Sequence, residues 1–159
     1  MDINALILEI IPPSDYHHRN GFSNREIIDG LTNDIKSLVE DKLIELQSNS
    51  DDSLIADTLA YMKSVKAVPT LRTVLNRVTE PMDKIVFASR IFKIQPSPDL
   101  GAIALQAFQG IEDYRAKIAA FCFLATFNDP SINQILENYA TDENYLLSSV
   151  AKRALANPC

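Results

Sequence analysis

Any chemistry in this chain has to come from two histidines, two cysteines and a few paired carboxylates. The histidines are adjacent, His17 and His18, inside the polar stretch Ser14-Asp-Tyr-His-His-Arg-Asn-Gly-Phe-Ser23. Neighbours on an extended segment point to opposite sides, whereas histidines that share a metal on a helix stand at i and i+4. No metal ligand set is therefore expected. Tyr16 and Phe22 are expected to anchor this loop while Asp15–Asn20 stays solvated, with a partner-contacting loop as the functional alternative. Cys122 lies in the apolar run Ile118-Ala-Ala-Phe-Cys-Phe-Leu-Ala-Thr-Phe127 and Cys159 is the last residue. That placement predicts no disulfide framework and, with no basic start after Met1, a reducing cytoplasm. Nothing near Cys159 in the sequence activates it as a nucleophile.

The carboxylate pairs Asp51-Asp52, Glu112-Asp113 and Asp142-Glu143 fall at polar breaks between apolar stretches. Anions are favoured at such places because the first N–H groups of a helix lack partners, so the pairs read as helix caps, not as acid–base couples. The chain has no Gly-rich phosphate loop, no zinc spacing and no Gly-x-Ser-x-Gly elbow. No catalytic, cofactor-binding or metal-binding residue is assigned, and no cofactor is expected.

The elements that would position these residues are helical hairpins. In Leu54-Ile-Ala-Asp-Thr-Leu-Ala-Tyr-Met-Lys-Ser-Val-Lys-Ala-Val-Pro-Thr-Leu71, apolar Leu54, Ile55, Leu59 and Met62 recur at three-and-four spacing. A break at Ser64 then precedes a second helix that opens at Val68-Pro69, where proline's missing N–H costs little. The same spacing returns from Ile91 and from Leu124, and a cut-off copy begins at Leu155. These anchors are 32, 33 and 31 residues apart, a period that signifies stacked two-helix units. Leu54, Val86, Ala119 and Val150, each five residues before its anchor, keep the same apolar character in all four copies. Ile27, 32 residues before Leu59, marks a degenerate earlier unit whose longer helix, opened by Thr32, carries Ile35, Leu38, Val39, Leu43 and Leu46. Ile3, Leu6, Ile7 and Ile10 form a short helix ahead of Pro12-Pro13, suited to cap a stack.

The segment Leu59-Ala-Tyr-Met-Lys-Ser-Val-Lys-Ala-Val-Pro-Thr-Leu71 resembles HEAT-like repeats, the armadillo-type α-solenoid family. The likeness extends over roughly residues 24–159. The second unit departs from it, with Gln95-Pro-Ser-Pro-Asp99 as its turn and Gly101 where the proline would stand. The resemblance implies an all-α fold, a short right-handed superhelix of three to four hairpins. It would form a single domain over 1–159, with capping helices and the degenerate repeat in 1–50 and the repeats in 51–159. It carries no catalytic residues. Members mostly bind other proteins, though some are DNA glycosylases and others attach bilins; an enzyme or nucleic-acid-acting protein of that kind is the alternative function.

Composition agrees with a packed helical chain. Apolar residues make up 47% and glycine only four of 159 positions, which disfavours disorder. The uncharged run 118–127 is too short to cross a membrane and reads as a helix buried on all sides. Residues 1–60 hold 12 acidic and 4 basic side chains, residues 61–98 hold 2 and 7, and residues 99–159 hold 7 and 4. A net charge of −6 disfavours nucleic acid as partner, since phosphate binding depends on neutralising cations. It favours a basic protein partner.

The expected task is protein binding without catalysis, to a partner whose identity and whose effect on oligomeric state the sequence leaves open. A small acidic solenoid of this kind is similar to some bacterial immunity proteins, which cover a toxin's active site; a regulatory role is equally in keeping. In such solenoids the second helices line the concave side, which assigns binding to Arg72, Thr73, Asn76, Arg77, Leu105, Phe108 and Gln109. Leu105 and Phe108 are expected to fall off a core face set by Leu100, Ile103 and Ala107. The other surface considered is the acidic one of Asp34, Glu40, Asp41 and Glu45.

Overall fold

Most helices start at a proline or a carboxylate after a polar break. The last helix is capped by Asn144 and not, as expected, by Asp142-Glu143, because the Asn144 side chain is the one that accepts from the first helical N–H groups. In the computed structural model, which describes residues 2–159, Pro81, Pro98 and Pro130 each stand at the opening of a helix. Asp2, Asp15, Asp52, Asp113 and Asp129 accept backbone N–H bonds as N-caps. The described residues form eleven α-helices, one turn of 3-10 helix at Val65–Ala67, and no strand. The chain is all-α, and among the described residues no helix is long and apolar enough to cross a membrane. The backbone falls into two compact units, Met1–Val74 and Leu75–Cys159.

The first unit holds α1 (Ile3–Ile10), α2 (Tyr16–Arg19), α3 (Arg25–Asp29), α4 (Asn33–Ser48), α5 (Ser53–Tyr61) and most of α6 (Val68–Arg77). Helix α4 packs on α1 and α5, and the core between them is Leu6, Ile7, Ile10, Val39, Leu43, Ile55 and Leu59. Asn24 does not cap α3 through its side chain. It is buried, and its amide donates to the Ile10 carbonyl at 3.0 Å and to Thr58 Oγ1 at 2.7 Å, which ties the end of α1 and the interior of α5 to the start of α3.

The second unit holds α7 (Pro81–Ile94), α8 (Pro98–Gln109), α9 (Tyr114–Ala125), α10 (Pro130–Ala140) and α11 (Tyr145–Ala156). Helix α9 contacts α7, α8, α10 and α11. Its Phe121 is fully buried in an aromatic cluster, with ring centroids 5.0 Å from Tyr139 and 6.1 Å from Phe108.

The anchors Leu59, Ile91 and Leu124 are all buried. Leu155 is only half-buried, and Ala151 and Ala154 take the core side of α11. Of the apolar residues that precede each anchor, those four before it, Ile55, Phe87, Ala120 and Ala151, are buried, whereas of those five before it Leu54, Val86 and Val150 are half-buried and Ala119 is exposed. A residue five back lies about 140° around the helix from the anchor, and one four back only about 40°. The exits from α5 and α9 also match. Lys63 and Asn128, each four after its anchor, adopt left-handed φ values of 55° and 46°, the conformation that ends a helix by turning the chain sharply. Gln95, four after Ile91, is extended.

Other expectations are corrected by the same geometry. Leu38 is 51% exposed, because the core stripe of α4 runs Val39, Leu43, Gln47. Run 118–127 is not buried on all sides. Arg115 and Ala119 are exposed and Cys122, Phe123 and Thr126 half-buried, one open stripe along α9. On that stripe Cys122 is disulfide-bonded to Cys159, contrary to the expectation of two free thiols. Asn157 and Pro158 end α11 and bring the chain back to α9, where the Cys159 N–H donates to the Cys122 carbonyl at 3.0 Å.

Candidate binding groove

The loop that carries both histidines is held by a residue other than those expected. Tyr16 is 74% exposed, so it does not anchor anything; Phe22 is half-buried. The anchor is Arg19, whose guanidinium donates to both carboxylate oxygens of Asp52 at 2.8 and 2.6 Å and to the Pro12 carbonyl at 3.1 and 2.8 Å. His18 pairs with Asp15, the cap of its own short helix, and that hydrogen bond holds the Asp15 carboxyl below its usual range. No cluster of three metal-ligating side chains occurs among the described residues.

Partial burial disfavours the charged form of Asp52, but its hydrogen bonds to Arg19 and to the Leu54 N–H outweigh that, and the pKa is lowered. A carboxylate whose folded pKa is depressed contributes stability above the unfolded value, near 3.8, and loses it as pH falls through the folded one. Asp52→Asn is therefore expected to cost about 1–3 kcal/mol at pH 7. In urea melts the gap between variant and wild type should close below about pH 4; a gap that is the same at pH 7 and pH 3 would show that the ion pair does not contribute.

A polar cleft of about 450 Å³ lies in the first unit, lined among others by Asp29, Lys36, Glu40 and Tyr61. The Tyr61 hydroxyl donates to Asp29 at 2.8 Å, which raises the pKa of the phenol, and the Arg25 guanidinium stands 5.1 Å over its ring. Glu40 accepts from Ser64, Asp41 pairs with Lys66 and Glu45 with Lys42. Three of the four carboxylates read as an acidic face on α4 are thus already engaged.

A second groove, of about 430 Å³, lies in the second unit. Leu75 and Asn76 at the end of α6 form one side, Pro81 and Lys84 at the start of α7 another, and Ile103, Gln106, Ala107 and Gly110 of α8 the third. Its composition is an apolar wall, two carboxamides and the Thr79 hydroxyl, which both donate and accept, and one ammonium group. The lining contains no carboxylate, imidazole or thiol, so it offers contacts for an apolar chain with polar or anionic groups, not proton transfer.

Of the residues assigned to binding from sequence, Asn76 lines this groove and Leu105, Phe108 and Gln109 do not. Arg72 is half-buried and Thr73, Arg77 and Gln109 are exposed. Phe108 is buried, 4% exposed, because α8 turns Leu100, Ala104 and Phe108 inward. The expected core face was Leu100, Ile103 and Ala107; the aromatic ring prevails over the alanine because it removes far more apolar area from water. Ile103 and Ala107 are consequently left half-buried on the groove wall. The composition of α8, apolar nearly all round, does not tell which side packs inward, and the structure puts Phe108 on the core side.

Comparison of the chain with protein-family models, with curated proteins and with solved structures gave no match.

Proposed function

We propose that this protein is a non-enzymatic, HEAT-like helical module that binds a segment of another protein in the groove between the end of α6, the start of α7 and α8. The observation that carries the reading is the lining: an apolar wall from Leu75, Pro81, Ile103 and Ala107 beside the amides of Asn76 and Gln106 and the ammonium of Lys84. Such a mixture suits an apolar side chain inserted next to a backbone amide and an acidic group. The repeat reading is supported by the buried positions at and four before the anchors and by the left-handed exits at Lys63 and Asn128. An immunity-type or regulatory role, with the acidic residues of 1–60 facing a basic partner, belongs to the same class. It ranks behind the groove because most of the α4 carboxylates have internal partners.

The test is a pull-down from native lysate with the intact chain as bait, the captured partner being quantified across variants. Gln106→Arg and Lys84→Glu are expected to reduce capture by about tenfold or more, a loss of at least about 1.4 kcal/mol. Gln109→Arg, on the same helix but outside the groove, should leave it unchanged. Equal capture by all three would reject the groove, and loss confined to Gln109→Arg would return binding to the other side of α8.

A further inference from the structure

Two cysteines 37 residues apart meet on a partly open stripe of α9, and the segment that brings them together is short. Asn157 leaves α11 in a non-helical conformation and Pro158 cannot continue a helix, so Cys159 is delivered to α9 within three residues of the last helical turn. There it is held in several ways at once. Its sulfur is bonded to Cys122 with the Cα atoms 5.0 Å apart, its N–H donates to the Cys122 carbonyl, and its carbonyl accepts from Arg90, at 3.2 Å, and from Lys93. Arg90 is itself buried with its guanidinium 5.0 Å over the Phe123 ring of α9. Both cysteines are half-buried, each residue being partly open to solvent.

We infer that Cys122 and Cys159 form a reversible thiol–disulfide latch that fastens residues 157–159 to α9 when oxidised and releases them when reduced by a small thiol. The two sulfurs are not equivalent. Cys122 lies in the last turn of α9, where the helix dipole disfavours a thiolate, whereas Cys159 lies beyond the end of α11 and belongs to no helix. Cys159 is therefore the better leaving group, and the attacking thiolate is directed to Cys122 Sγ. In the first step a small-molecule thiolate forms a bond to Cys122 Sγ, the Cys122–Cys159 bond breaks, and its electron pair leaves on Cys159, which takes up a proton from water. In the second step another thiolate attacks the small molecule's sulfur of the mixed disulfide and Cys122 departs as the thiolate. The balance is one protein disulfide and two small thiols converted to two protein thiols and one small disulfide; the reverse reaction, with that disulfide as oxidant, closes the latch.

The experiment uses the intact chain incubated in buffers of reduced and oxidised glutathione at set ratios, without denaturant. Alkylatable thiols are counted by mass spectrometry, and hydrogen exchange is followed on the peptide that contains residues 157–159. The latch predicts a change from zero to two reactive thiols as the ratio rises, together with exchange at Cys159 that is about tenfold or more faster in the reduced form. It also predicts that glutathione trapped in mixed disulfide is found on Cys122 and not on Cys159. The Cys122→Ser variant should show the fast exchange at every ratio. Three results would each overturn the proposal: two reactive thiols that persist in fully oxidised buffer, a disulfide that glutathione reduces only after urea is added, or equal exchange at Cys159 in both states.

Discussion

Replacing Phe121 by alanine is expected to lower the stability of the chain by about 3–5 kcal/mol, the cost typical of removing a buried aromatic ring. The side chain is completely buried on α9, and that helix contacts the four other helices wholly inside its unit. Two contributions add. The ring's transfer from water is lost, and the space it leaves is bordered by Phe108 and Tyr139, whose ring centroids lie 6.1 and 5.0 Å away. Those neighbours are aromatic and come from two other helices, so they cannot collapse into the void without moving α8 or α10. Pairs of this geometry also contribute about 0.5–1.5 kcal/mol beyond buried area. Urea melts of the two proteins measure the difference; a loss below about 1 kcal/mol would mean that α9 is not the centre of its unit.

Helix positions were legible because they depend on local chemistry. Aspartates and prolines at polar breaks give a start, and apolar residues at three-and-four spacing give a face. The anchors Leu59, Ile91 and Leu124 follow from that pattern. Ahead of each anchor the sequence places two apolar residues side by side, Leu54-Ile55, Val86-Phe87, Ala119-Ala120 and Val150-Ala151, and only the second of each pair is buried. Hydrophobicity alone does not tell which of an adjacent pair faces inward; helix geometry does.

Long-range partners were harder to read. Arg19 and Asp52 are 33 residues apart and Cys122 and Cys159 are 37 apart, and neither pair leaves a local signal. Asp52 could be recognised as a cap, and it is one, but its second role in holding the histidine loop comes only from packing. A cysteine in an apolar run suggests a buried thiol. The open stripe of α9 that exposes Cys122 is a property of how many helices surround it, and that is not written within the run.

The same limit explains Phe108 and leads to the second large effect. Phe108→Ala is expected to cost about 3–5 kcal/mol, whereas Gln109→Ala, one residue on but exposed, should change stability by no more than about 0.5 kcal/mol. Leu100, Ala104 and Phe108 stand at i, i+4 and i+8 on one stripe of α8, and Phe108 meets Phe121 and Tyr139 at 6.1 Å each. Because Phe108 and Phe121 share the same cluster, the two alanine substitutions should not add. Once one ring is gone the other loses a neighbour, and a double-mutant cycle should return a coupling of about 0.5–3 kcal/mol. A buried Phe108 also cannot be the anchor that a partner's pocket grips. Under conditions where Phe108→Ala remains folded, partner capture per folded molecule should match wild type, while Gln106→Arg loses it with its melting curve unchanged. A Phe108→Ala protein that is as stable as wild type yet fails to capture the partner would reverse this assignment and make the ring a contact residue. Stability and capture measured on the same two variants therefore decide which side of α8 faces the core and which faces a partner.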